Sequence, residues 1–84
     1  MNDCMITFRS VTPAQRGEKA LRRAGFACSI QRTPRWMEEK GCGYSLRIWC
    51  QDVQPGIEVL RAAQIPYRKV YRWGENGKLE DMSL

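Results

Sequence analysis

The sequence predicts a single α+β domain in which two helices cover one face of a four-stranded antiparallel sheet. Three observations predict it. Residues 44–49 alternate strictly, with Tyr44, Leu46 and Ile48 on one side and Ser45, Arg47 and Trp49 on the other, the period of a half-buried strand. Two helical stretches, each followed by a strand-like run, account for most of the rest. A faint internal repeat links the halves: Leu21-Arg22-Arg23-Ala24-Gly25-Phe26 parallels Leu60-Arg61-Ala62-Ala63-Gln64-Ile65 at an offset of 39 residues.

Each element follows from local signals. Residues 4–8, Cys-Met-Ile-Thr-Phe, form a short apolar run of strand type. Thr12 is an N-cap candidate with Pro13 at the first helical position, which predicts a helix over about residues 13–24. Ala20, Leu21 and Ala24 supply its buried stripe, while Arg16, Lys19, Arg22 and Arg23 cover the remainder. Gly25 stands at the C′ position, where a left-handed residue closes a helix and glycine takes that conformation without strain. A strand is expected over 26–30. Pro34, Gly41 and Gly43 then punctuate residues 31–43, which read as a loop, with a short helix over 34–40 as the rival. After the alternating strand, Asp52 is an N-cap candidate for a helix over about 53–64, with Val53, Ile57, Leu60 and Ala63 inward and Pro55 and Gly56 in its first turn. Pro66 ends that helix, residues 67–73 read as the last strand, and residues 74–84 read as a flexible polar tail. The order βαββαβ, with right-handed split crossovers, is the ferredoxin-like plan, spanning residues 1–73.

A chain of 84 residues is one domain with one small core, since it hides only about 60–65% of its extended surface. It has no histidine, which excludes a Ser-His-Asp or Cys-His pair and any histidine-containing zinc site within the chain. Carboxylates are few and scattered, so a carrier, regulator or binding module is expected rather than a stand-alone enzyme, and neither a cofactor nor a metal site is written into the sequence. Lys and Arg total 14 against 9 Asp and Glu, a formal charge of +5 that suits an anionic partner and equally suits plain solubility. The opening MNDCMITF carries no basic segment followed by a long apolar one, and no run of residues is long and apolar enough to span a membrane. The expectation is a cytoplasmic protein with reduced thiols.

The four cysteines are Cys4, Cys28, Cys42 and Cys50, with no C-x-x-C pair. Strand parity turns Cys4, Cys28 and Cys50 toward the helix-covered face, beside Ile6, Phe8, Ile30, Leu46 and Ile48, where they read as small hydrophobes. Their even number leaves disulfides open. The opposite face would carry Met5, Thr7, Ser29, Gln31, Arg47 and Trp49, joined by Tyr67, Lys69, Tyr71 and Trp73 if Val70 points inward. Aromatics interleaved with bases suit single-stranded nucleic acid in physical type, but the aromatic RNA-binding signature is absent, and a homodimer through this face, or an edge covered by the tail, is the simpler reading.

Cys42 differs from the other three. It lies in the loop between Gly41 and Gly43, which leave room around the sulfur and free backbone N–H groups to converge on an anion. Arg35 and Lys40 favour the thiolate, and Glu38 and Glu39 oppose it. Met-Ile-Thr-Phe at 5–8, Ala-Gly-Phe at 24–26, Thr33-Pro34-Arg35, and Cys42-Gly43 leading into a strand together resemble the small bacterial family of selenium/sulfur carrier-like proteins. The resemblance covers about residues 5–71. It implies that Cys42 is the carrier residue and holds a persulfide or selenopersulfide, and that Thr33, Pro34 and Arg35 belong to its site with Gly41 and Gly43 beside it. It further implies a cysteine desulfurase-like donor and, as acceptor, a selenophosphate synthetase or a sulfur-transfer protein.

Overall fold

The computed structural model describes residues 3–32, 43–73 and 79–82. The elements run β1 (Asp3–Phe8), α1 (Val11–Arg23), β2 (Cys28–Arg32), β3 (Tyr44–Trp49), α2 (Cys50–Ala62), β4 (Val70–Trp73) and β5 (Leu79–Asp81). They make an α+β fold with two helices and a five-stranded sheet in the order β2-β3-β1-β4-β5, every neighbouring pair antiparallel. The first four strands have an order compatible with the ferredoxin-like plan; β5 adds a strand outside β4.

That fifth strand departs from the expected count of four, and it comes from residues read as a polar tail. Three residues with two carboxylates carry no apolar alternation, so periodicity gives no strand signal there. Pairing supplies the stabilisation instead. Tyr71 faces Asp81 and Arg72 faces Glu80, and Arg72 Nη2 donates to Glu80 Oε2 at 2.7 Å. Met82 N–H donates to the Val70 carbonyl at 2.8 Å just beyond the strand.

Both helices begin earlier than the prolines suggest. The N-cap of α1 is Ser10, with extended backbone, rather than Thr12, and Pro13 sits at the third helical position. The first N–H groups of a helix have no intrahelical partner, so proline is tolerated throughout the first turn. In α2 the N-cap is Trp49 and helix follows strand with no connecting loop; Asp52 lies inside the first turn and Pro55 inside the helix. Asp52 therefore acts on the positive end of the helix by charge rather than as the cap.

The helix ends match the internal repeat. Phe26 N–H donates to the Leu21 carbonyl at 2.9 Å and Gly25 N–H to that of Arg22 at 3.0 Å; Ile65 and Gln64 donate to Leu60 and Arg61 at 2.9 and 3.0 Å. This is the paired 6→1 and 5→2 closure of a Schellman motif, built twice. The residue it drives to positive φ is Gly25 at 95° in the first copy and Gln64 at 56° in the second.

The same offset organises the packing. A Cβ on Gly17 of α1 would sit 3.2 Å from Phe8 Cζ and Leu46 Cδ1 and 3.3 Å from Leu60 Cδ2, and one on Gly56 of α2 would sit 3.2 Å from Ile48 Cδ1 and 3.3 Å from Leu21 Cδ2. Each helix thus places a glycine under the leucine of the other. The core between helices and sheet holds Cys4, Ile6, Phe8, Leu46, Ile48 and Val70 from the strands and Ala14, Leu21, Val53, Ile57 and Leu60 from the helices. Ala24 and Ala63, expected inward, are exposed past the last turns. Strand β1 is central and is buried on both faces, Met5 and Thr7 included.

The outer edge of β2 is closed by α1. Ile30 N–H donates to Glu18 Oε2 at 3.1 Å, and Arg22 donates to the Cys28 carbonyl through Nη2 at 3.0 Å and Nε at 3.3 Å. Among the described residues no helix is long and apolar enough to cross a membrane.

Candidate functional site

Cys42 falls in the segment between β2 and β3. Arg32 pairs with Tyr44, so residues 33–43 form the connection of an antiparallel hairpin. Of the expected site residues, Thr33, Pro34, Arg35, Gly41 and Cys42 lie outside the described residues, as do Lys40 and Trp36 and the rival helix over 34–40. Gly43 is described: it is buried at the entrance to β3.

The sheet end where β3 starts is basic. Phe8 faces Tyr44, so β1 ends there, and Arg9 and Ser10 lead from it into the N-terminus of α1. Arg9 and Arg32 are exposed. Arg68 and Lys69 enter β4 at the same end, where Arg68 N–H donates to the Thr7 carbonyl and Thr7 N–H to the Lys69 carbonyl, both at 2.8 Å. Lys69 N–H also donates to Thr7 Oγ1 at 3.0 Å, and Lys69 Nζ lies 3.8 Å from Asp81 Oδ2. The first turn of α1 holds no acidic residue, so its positive end is uncompensated from within. Four basic residues and a helix N-terminus therefore lie at the end of the sheet where β2 stops and β3 starts.

The other three cysteines gather at the far end of the sheet. Cys4 and Cys28 both pair with Ile48, from opposite sides, and Cys50 follows β3 directly. Cys4 and Cys50 form a disulfide with Cα atoms 5.0 Å apart. This corrects the expectation of reduced thiols for that pair. The cause is tertiary: the β1–β3 register sets Cys4 beside the strand end where α2 begins. Met82 Sδ lies 3.6 Å from Cys4 Sγ. Cys28 is free and buried, with its Sγ 3.8 Å from the Glu18 carbonyl. Burial pushes its thiol above the usual value of 9.0, with the Glu18 carboxylate adding to the rise and Arg22 opposing it. Cys28 is therefore a core residue rather than a nucleophile.

The helix-free face differs in part from expectation. Val70 points inward and is fully buried. Tyr67 packs against the core and its hydroxyl lies 3.3 Å from Arg61 Nη2, so it does not join that face. Arg47 Nε donates to Asp3 Oδ2 at 2.8 Å, with Nη2 on the same oxygen. Beside them Trp49 is 42% exposed, the exposed large hydrophobic among the described residues. A shallow cavity of about 330 Å³ opens there, lined by Asp3, Ala27, Ser29, Arg47 and Trp49 with Cys28 and Ile48. Ser45, on the same face, is wholly buried with its hydroxyl unpartnered. Sequence reading missed the Asp3–Arg47 pair, although Asp3 and Arg47 fall on one face by strand parity. Among the described residues no cluster of His, Cys, Asp and Glu is arranged to hold a metal.

Comparison with known proteins agrees with the motif reading. No curated protein and no solved structure matches the chain. The family described as "Putative Se/S carrier protein-like" matches residues 3–72, from the first residue of β1 to the middle of β4. A match over that much of the chain shows that the protein belongs to the Se/S carrier protein-like family.

Proposed function

We propose that the protein is a thiol-based sulfur or selenium carrier rather than a stand-alone catalyst, and that Cys42 is the carrying residue. The observation that supports this reading is the group of basic residues, Arg9, Arg32, Arg68 and Lys69, with the N-terminus of α1, at the sheet end where the segment between β2 and β3 begins and ends. Positive charge and a helix N-terminus lower a thiol pKa, and the thiolate is the nucleophile. In the first step the Cys42 thiolate attacks the terminal chalcogen of a donor persulfide. The donor's S–S or S–Se bond breaks, and its electrons leave on the donor thiolate. In the second step an acceptor nucleophile attacks the same terminal atom and Cys42 leaves as thiolate. No net oxidant, metal or cofactor enters either step.

Gly41 and Gly43 leave space for the added atom, Arg35 is the anion partner of the adduct, and Thr33 and Pro34 shape the turn. The donor is a cysteine desulfurase-like enzyme and the acceptor a selenophosphate synthetase or sulfur-transfer protein. Incubation with a desulfurase and its amino-acid substrate, followed by peptide mass mapping, tests this. The mass of one sulfur or selenium atom should appear on the Cys42 peptide and be absent from Cys42→Ser. Equal labelling on all cysteines, or none, overturns it.

The exposed Trp49 beside Arg47 favours a second reading, protein contact through the helix-free face. Solution mass measured over a concentration series, with Trp49→Ala as control, distinguishes a homodimer from a contact made only with other proteins.

A further inference from the structure

We propose that the Cys4–Cys50 disulfide is a second thiol centre, independent of Cys42, which exchanges with an external dithiol. In this scheme Cys50 meets the incoming sulfur and Cys4 resolves the intermediate. The two sulfurs are unequally placed. Cys4 sits in the central strand and is fully buried, whereas Cys50 is partly exposed at the first helical position of α2. Cys50 also packs against the core, yet of the two cysteines it is the one with any surface toward solvent, and it is taken as the point of attack. Cys50 is also the better leaving group when the mixed disulfide opens, because it stands in the first turn of α2, where the positive end of the helix favours a thiolate. Asp52 in the same turn moderates that stabilisation.

The first turn is also lightly held. Pro55 donates no hydrogen bond to the Gln51 carbonyl, so the ladder over the start of α2 lacks one rung and the cross-link to β1 anchors this turn. Trp49, the residue before Cys50, is exposed beside the Asp3–Arg47 pair on the helix-free face, one residue along the chain from Cys50. Neither of the other cysteines serves as an internal resolving thiol. Cys28 lies across two strand spacings from Cys4, about 10 Å, and is buried in its thiol form. Strand β3 separates Gly43, next to Cys42, from Cys50 by roughly 20 Å.

The chemistry balances with a dithiol as reductant. Its thiolate attacks Cys50 Sγ; the Cys4–Cys50 bond breaks, and the electron pair leaves on Cys4, which takes a proton. The second thiol of the reductant then loses its proton and attacks its own sulfur in the mixed disulfide, and Cys50 leaves as thiolate and takes up that proton. The protein gains two electrons and two protons, and the dithiol becomes a disulfide. In the reverse direction a partner disulfide re-oxidises the pair, with Cys50 attacking first.

The test uses the full chain carrying Cys42→Ser, folded and oxidised. It is exposed to reduced glutathione, quenched in acid and mapped by peptide mass, with near-ultraviolet circular dichroism followed in parallel; dithiothreitol then completes the reduction. The expected result is a glutathione adduct on Cys50 in excess over Cys4 on the order of tenfold or more, since access decides which sulfur is attacked, formed while the tertiary signal persists. In Cys4→Ser, oxidised glutathione should leave a lasting adduct on Cys50. If Cys4→Ser does not fold, mapping on the Cys42→Ser chain alone decides. An adduct on Cys4, reduction only at the rate of unfolding, or a native pair that neither forms nor opens in glutathione mixtures overturns the proposal.

Discussion

At the scale of single residues, the two helix ends offer an internal comparison. Gly25 and Gln64 occupy equivalent positions of the same closing motif, both at positive φ, and only Gly25 is free of the Cβ penalty. Gln64→Gly should raise stability by about 0.5–1 kcal/mol, read as a shift in urea midpoint, whereas Gly25→Ala should lower it. Cys28 gives a pH prediction. Its thiol is harder to ionise in the folded chain than in the unfolded one, with an ordinary value of 9.0. Below that value the thiol is protonated in both states and its contribution is fully present. As pH rises past it the unfolded chain releases the proton first, so stability falls. Cys28→Ala should flatten the alkaline limb of a stability-against-pH curve, and an unchanged limb would show that another group governs it.

At the scale of elements, the sequence made the order of the first six elements readable because each local signal agreed with its neighbours. The alternation at 44–49 appears as β3 with the same bounds, and Gly25 closes α1 as its position suggests. The helix starts were misplaced by two local signals, Thr12-Pro13 read as cap and first residue of α1 and Asp52 read as the cap of α2, whereas Pro13 and Asp52 both lie inside the first turn. β5 was invisible because it is short, polar and stabilised by its pairing with β4. The packing of α1 on α2 makes a graded prediction. Alanine is the better helix former by about 1 kcal/mol, and overpacking costs about 1–3. At Gly17 the added methyl meets a Phe8 ring atom and two leucine methyls, while at Gly56 it meets only two aliphatic ends. Gly17→Ala should therefore lose about 1 kcal/mol and Gly56→Ala should be near neutral, by thermal or chemical unfolding.

For the whole molecule, the Cys4–Cys50 bond closes a loop with a separation of 46 residues. Constraint of the unfolded chain by such a loop is worth about 3–4 kcal/mol. Cys4→Ala/Cys50→Ala, or full reduction, should lower Tm by on the order of 15 °C, measured by calorimetry. The sequence made part of this legible, since parity placed both cysteines on one face; the bond itself depends on the β1–β3 register, which no local pattern encodes. The proposed Cys42 site is legible only as a motif. Its glycines and nearby charges are local, whereas the topology, which no local pattern encodes, brings Arg9, Arg68, Lys69 and the start of α1 to the sheet end where β3 begins.

The bonds from Glu18 and Arg22 onto β2 have a consequence for how the molecule meets others. They occupy the backbone positions at Cys28 and Ile30 that a docking peptide would need in order to extend the ribbon on that flank. With that margin sealed by its own helix, β2 presents no open edge at Cys28 and Ile30 to a foreign strand. If the chain carries sulfur as proposed above, its partners meet it without adding a strand there, which suits reversible hand-over.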